Sequence, residues 1–184
     1  MSRRLLLADR SGSSAVEMAL LLPVLMILLY GGFELGHFVW TKHKLVEAVR
    51  DGARFAAHYE AADICQGGVA VMSDDLKDQV RLITRTGQLV TAEAQGRIPG
   101  WTDAQTAVDV SCTFTDTGIY RDFGENGPIV TVTAVNVPYP SLFGQLSGVD
   151  PQLEMSARSS AVVIGVAGGE PRSARFPPPS ALPP

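Results

Sequence analysis

Histidine and cysteine are scarce in this chain, with three and two respectively among 184 residues. Zinc sites need Cys and His at short, repeated spacings, and Cys65 and Cys112 stand too far apart, without suitably spaced histidines, to form one. No glycine-flanked nucleophile elbow, phosphate loop or paired metal motif occurs, which removes the familiar enzyme signatures. Basic residues are also few: 15 Lys and Arg against 19 Asp and Glu give a net charge of -4. Phosphate backbones are bound by clustered Lys and Arg, so nucleic acid is not expected as a partner. The chain is therefore read as a non-enzyme with no cofactor, no metal and no small-molecule substrate.

Charge is missing altogether between Met18 and Phe33, and this gap is the most informative part of the sequence. Its 16 residues would make a helix of about 24 Å, slightly short of a hydrocarbon core of about 30 Å. Mean hydropathy is +0.14, a value tilted by this one segment. Tyr30, Phe33, Phe38 and Trp40 supply aromatic residues at its far end, as at a membrane interface. Arg3, Arg4 and Arg10 against Asp9 give the leader a net +2 and leave -6 for the remainder. That asymmetry predicts a cytoplasmic N-terminus and an exported C-terminal part. Glu17, at the start of the run, needs a reason to be there, because an ionised group in hydrocarbon costs roughly 2.5–3.5 kcal/mol or more. An ordinary secretory signal would be cut after the apolar run at a small-x-small site. Leu29-Tyr30-Gly31 and Glu34-Leu35-Gly36 offer poor residues for that.

Gly12 followed by Ser13, Glu17 five residues on, Pro23 early in the apolar run, Glu34-Leu35-Gly36 near its end, and Arg50-Asp51-Gly52-Ala53-Arg54 together resemble the TadE-like family. Those proteins are minor pseudopilins of the Tad (tight adherence) pilus. Met18 stands where the family often has an aromatic residue. The resemblance implies a class III leader, residues 1–12, cut by a prepilin peptidase between Gly12 and Ser13 on the cytoplasmic side. It also implies a stem, residues 13–40, in the bacterial inner membrane, where Glu17 neutralises the free amine of a neighbouring subunit. The implied partners are other Tad pilins and pseudopilins and the inner-membrane assembly platform. The implied roles are pilus biogenesis, adhesion and surface attachment. The alternative is an unprocessed single-pass membrane protein whose exported domain binds or scaffolds.

Within the stem, Pro23 would kink or loosen the helix. Gly32 and Gly36, one turn apart, suit close stem packing, although glycine is also common in membrane helices generally. Glu34 and His37 are at i and i+3 and read as an interfacial polar patch or partner contact rather than a metal pair.

The exported part, residues 41–166, reads as α+β, in a pilin-like arrangement with one long N-terminal helix. From Lys42 to about Tyr59 the helix continues, with Leu45, Val49, Gly52, Ala53 and Ala56 on one face, small enough to lie closely on a sheet. Glu47 with Arg50 and Asp51 with Arg54 would pair on its solvated flank. Ser73 before Asp74-Asp75 predicts an N-cap and a second helix to about Ala94, closed by Gly96, Pro99 and Gly100. Strand-like runs follow from Ala107 to Thr115, Ile129 to Val137 and about Leu153 to Val166, making a small antiparallel sheet. Gly124 to Pro128 would turn the first into the second. The segment Pro138 to Gly144 reads as a turn with exposed apolar residues, expected to form a packed lid on that sheet rather than a binding epitope. Cys65 and Cys112 read as a disulfide on the exported side or as two separate buried thiols. Six of the twelve prolines lie in residues 167–184, a tail expected to be flexible or polyproline II.

Overall fold

The computed structural model describes residues 13–89, 95–112, 128–144 and 153–164. The leader, residues 124–127 of the expected turn and the proline-rich tail lie outside them. Helix α1, Ser13–Ala57, runs for 45 residues, about 68 Å, with Pro23 inside it. The chain forms two compact units, Met1–His43 with Tyr139–Leu153 and Lys44–Pro138 with Glu154–Pro184.

In the second unit the end of α1 is closed by four acceptors finding four donors. The carbonyl oxygens of Arg54, Phe55, Ala56 and Ala57 accept from His58 Nδ1 (2.7 Å), His58 N (3.2 Å), Tyr59 N (3.2 Å) and Ile164 N (3.0 Å). The last turn of a helix otherwise leaves these carbonyls unpaired. Leu45, Val49, Ala53 and Ala56 are buried, as is Gly52, so the apolar stripe is the face that packs. Gly52 meets Thr84 of a second helix rather than the sheet. Asp51 is ion-paired with Arg97 Nη1 at 2.7 Å, a partner 46 residues away instead of the Arg54 expected from helical spacing.

The short helix α2 (Ala61–Ile64) leads into a two-strand ribbon, β1 (Cys65–Gln66) with β2 (Val69–Ala70), turned at Gly67 and Gly68. Helix α3, Asp74–Thr86, begins at Ser73, whose Oγ accepts from Leu76 N at 3.3 Å. It is shorter than the sequence pattern indicates. Gly87 adopts φ 75° and its N–H bonds to the Ile83 carbonyl at 2.8 Å, while Arg97 N takes the Arg85 carbonyl at 2.8 Å. A left-handed glycine at this point diverts the chain, and only glycine does so at little cost.

A 3₁₀ turn, Asp103–Gln105, enters the sheet β3-β4-β5, formed by Thr106–Ser111, Ile129–Pro138 and Glu154–Val162. Both pairings are antiparallel, Val108 facing Val132 and Val132 facing Ser159. Val130, Val132 and Ala134 are buried, and so is Val137. The break in alternation is a bulge between Ala134 and Val137, with Asn136 at φ 54°. The extra residue returns Val137 to the buried face, as bulges do. Arg81 Nε donates to the Thr106 carbonyl at 3.2 Å, holding α3 to the start of β3. Cys65 and Cys112 are joined in a disulfide, with Cα atoms 5.8 Å apart, which ties β1 to the end of β3.

Candidate assembly stem and its polar collar

The stem is the part of α1 in the first unit. Helical periodicity puts no burying face on residues 16–35: their large apolar side chains are between 41% and 72% exposed all round the helix. A helix apolar on every side belongs in the core of a large protein or in lipid. This is the one described helix long and apolar enough to cross a membrane, and it fits a single-pass membrane protein.

Ser13 opens α1, and Glu17 is exposed in its first turns. Gly12, the other half of the candidate cleavage bond, is outside the described residues. Pro23 is accommodated within the helix, and its missing N–H leaves the Ala19 carbonyl without the usual i+4 donor. Gly32 and Gly36 have nothing within 4 Å of where a Cβ would stand, so this stretch of backbone is open to another surface.

Glu34 and His37 sit at the far end of the apolar run, and the structure brings to them a strap, Tyr139–Gly144. The Tyr139 hydroxyl donates to the Glu34 carbonyl oxygen at 3.1 Å. With that single proton committed, His37 Nδ1, 3.0 Å from the same hydroxyl oxygen, is the donor to it. Phe143 N–H donates to Glu34 Oε2 at 3.4 Å, while Glu34 Oε1 is buried without a hydrogen-bond partner among the described residues. Aromatic edges complete the collar: Phe143 lies 4.9 Å from Tyr30 and Tyr139 lies 5.2 Å from Phe38, both T-shaped. Burial, and after it the Glu34 carboxylate, push the Tyr139 phenol up to about 12.

The strap therefore packs on stem residues, where the sequence reading expected a lid on the sheet. Tyr139 is the residue that reading missed. Its only signal was an aromatic held between Pro138 and Pro140, a rigid pair that aims one side chain. Cys65 and Cys112 belong to the second unit and play no part in the collar.

Residues 12–54 match the family model described as TadE-like protein, a span that opens at Gly12 and closes at Arg54. No curated protein and no solved structure matches the chain.

Proposed function

We propose that this chain, TadE-like over residues 12–54, is a minor pseudopilin of a Tad-type pilus assembly system. Its stem lies in the bacterial inner membrane with the N-terminus cytoplasmic and the rest of the chain exported. A prepilin peptidase cuts between Gly12 and Ser13, and the mature chain joins other pilins and the assembly platform. One observation carries the reading: a leader glycine, a glutamate five residues on and an all-round exposed apolar helix occur together within the matched span. Cutting there makes Ser13 the N-terminus, and its new ammonium would be neutralised by Glu17 of a neighbouring stem. Two charges that are costly apart in lipid become tolerable as a pair. The chain acts by binding and assembling and has no catalytic role.

The test is the intact mass of the membrane-extracted protein, expressed with and without a cognate prepilin peptidase. Loss of residues 1–12 only with the peptidase is the expected result. An unprocessed chain in both cases would favour the single-pass scaffold alternative, and cleavage near residue 36 would mean an ordinary secreted domain. Glu17→Ala should leave membrane insertion intact and abolish assembly, and normal piliation in that variant would remove the role given to Glu17.

A further inference from the structure

The charge-free run of the stem, Met18 to Phe33, covers about 24 Å, against a hydrocarbon core of about 30 Å. Past it the helix surface stays apolar at Leu35, Val39 and Trp40, which are 65%, 59% and 54% exposed. Two polar side chains interrupt this continuation, Glu34 and His37, and they lie three residues apart on one helix face. That is the face the strap covers. Its contacts run from Phe38 back to Tyr30, eight residues or about 12 Å along the axis. Tyr30 is inside the charge-free run, so the Phe143 ring reaches below the level of Glu34 toward the middle of the stem.

The strap itself suits that depth. Residues 139–144, Tyr-Pro-Ser-Leu-Phe-Gly, carry no charge. Four of their five backbone N–H groups are satisfied within the protein: Tyr139 N by the Leu153 carbonyl (2.8 Å), Ser141 N by the Tyr139 carbonyl (3.0 Å), Gly144 N by Ser141 Oγ (2.9 Å) and Phe143 N by Glu34 Oε2. Pro140 has no N–H to satisfy. Water would serve those groups on an ordinary surface loop, whereas in lipid each must find a partner within the protein. Leu142, at the tip, is 44% exposed with no polar function to keep there.

We propose that Tyr139–Gly144 is an interfacial membrane anchor, seated among the lipids of the leaflet at the Glu34 end of the stem. By covering Glu34 and His37 it lengthens the apolar span from Met18–Phe33 to Met18–Trp40, 23 residues or about 34 Å, enough to cross the bilayer. The inference rests on the membrane-stem reading. It is independent of leader cleavage.

The full chain, reconstituted in phosphatidylcholine vesicles, would carry a benzoylphenylalanine photo-crosslinker at Leu142, at Leu25 in the stem, or at Val69 in β2 as the background. Phe143, which keeps an aromatic ring opposite Tyr30, is the second strap position should the Leu142 substitution impair folding. After irradiation, peptide mass spectrometry reads phosphatidylcholine adducts. Adducts at Leu25 and at a strap position, well above the Val69 level, are expected. Adducts at Leu25 with none at Leu142 or Phe143, or with crosslinks there to a second copy of the chain, overturn the anchor and leave the membrane stem standing. No lipid adduct at Leu25 overturns both.

Discussion

Gly52 is the position where one added methyl group tests the packing of the exported unit. It lies in the buried stripe of α1, and a Cβ built on it collides with Thr84 Oγ1 and stands 3.1 Å from Thr84 Cβ and 3.5 Å from Thr84 Cγ2. Thr84 is fully buried and has no free direction to yield, since its hydroxyl donates to the Val80 carbonyl of its own helix at 2.6 Å. Overpacking of this kind costs about 1–3 kcal/mol. Against it, replacing a mid-helix glycine by alanine returns about 0.5–1 kcal/mol. Steric conflict wins, and Gly52→Ala should lose roughly 1–2 kcal/mol. Thr84→Ala removes the colliding hydroxyl and the Cγ2 methyl, leaving only the Cβ contact at 3.1 Å, and strands no acceptor, because Val80 O keeps its helical donor. On that background Gly52→Ala should cost little or nothing, giving a coupling energy of about 1 kcal/mol in a double-mutant cycle. The assay is urea unfolding of the detergent-solubilised full chain, followed by Trp101, which is buried in the same unit with its Nε1 donating to Thr106 Oγ1 at 3.1 Å. A Trp40→Phe background removes the stem's signal. If Gly52→Ala is harmless in the parent, or equally harmful with Ala at position 84, the close approach of α1 to α3 is refuted.

Two further outcomes follow from the site and its support. Reducing the Cys65–Cys112 bridge, which closes a loop of 47 residues, should lower the stability of the exported unit by up to about 4 kcal/mol in the same urea assay. A Cys65→Ser/Cys112→Ser chain should match the reduced protein, and unchanged unfolding would deny the bridge a structural role. Tyr139 has a folded pKa above its ordinary value of 10.0. The unfolded chain therefore releases this proton first, and the contribution of Tyr139 is complete below pH 10 and fades as pH rises toward about 12. An alkaline titration of tyrosinate absorbance should show one late component that disappears in Tyr139→Phe. Its absence from the parent protein would contradict the buried position of the phenol.

Much of this architecture is local in origin. The reach of the stem follows from a charge-free run. The start of α3 follows from Ser73 and the acids behind it, and the buried stripe Leu45, Val49, Gly52, Ala53, Ala56 from a helical period. The three strands follow from runs of Val, Thr and Ile. Each signal concerns neighbours within a turn or a strand, so the chain carries it without reference to the fold. The matched span, residues 12–54, lies wholly within this legible part.

The fold itself decided what depends on distant partners. α3 stops at Gly87 instead of continuing toward Gly96 because Arg97 N comes back to the Arg85 carbonyl. Asp51 passes over its helical neighbour for Arg97, and Cys65 finds Cys112 only once the ribbon lies beside β3. The collar is the clearest case. Pro138 to Gly144 has no period to read and could have lain on any apolar surface, yet it meets Tyr30, Glu34, His37 and Phe38, about a hundred residues earlier. That segment carries the donors and rings that fit those four residues. Complementarity of this kind has no sequence spacing and exists only when the chain is folded.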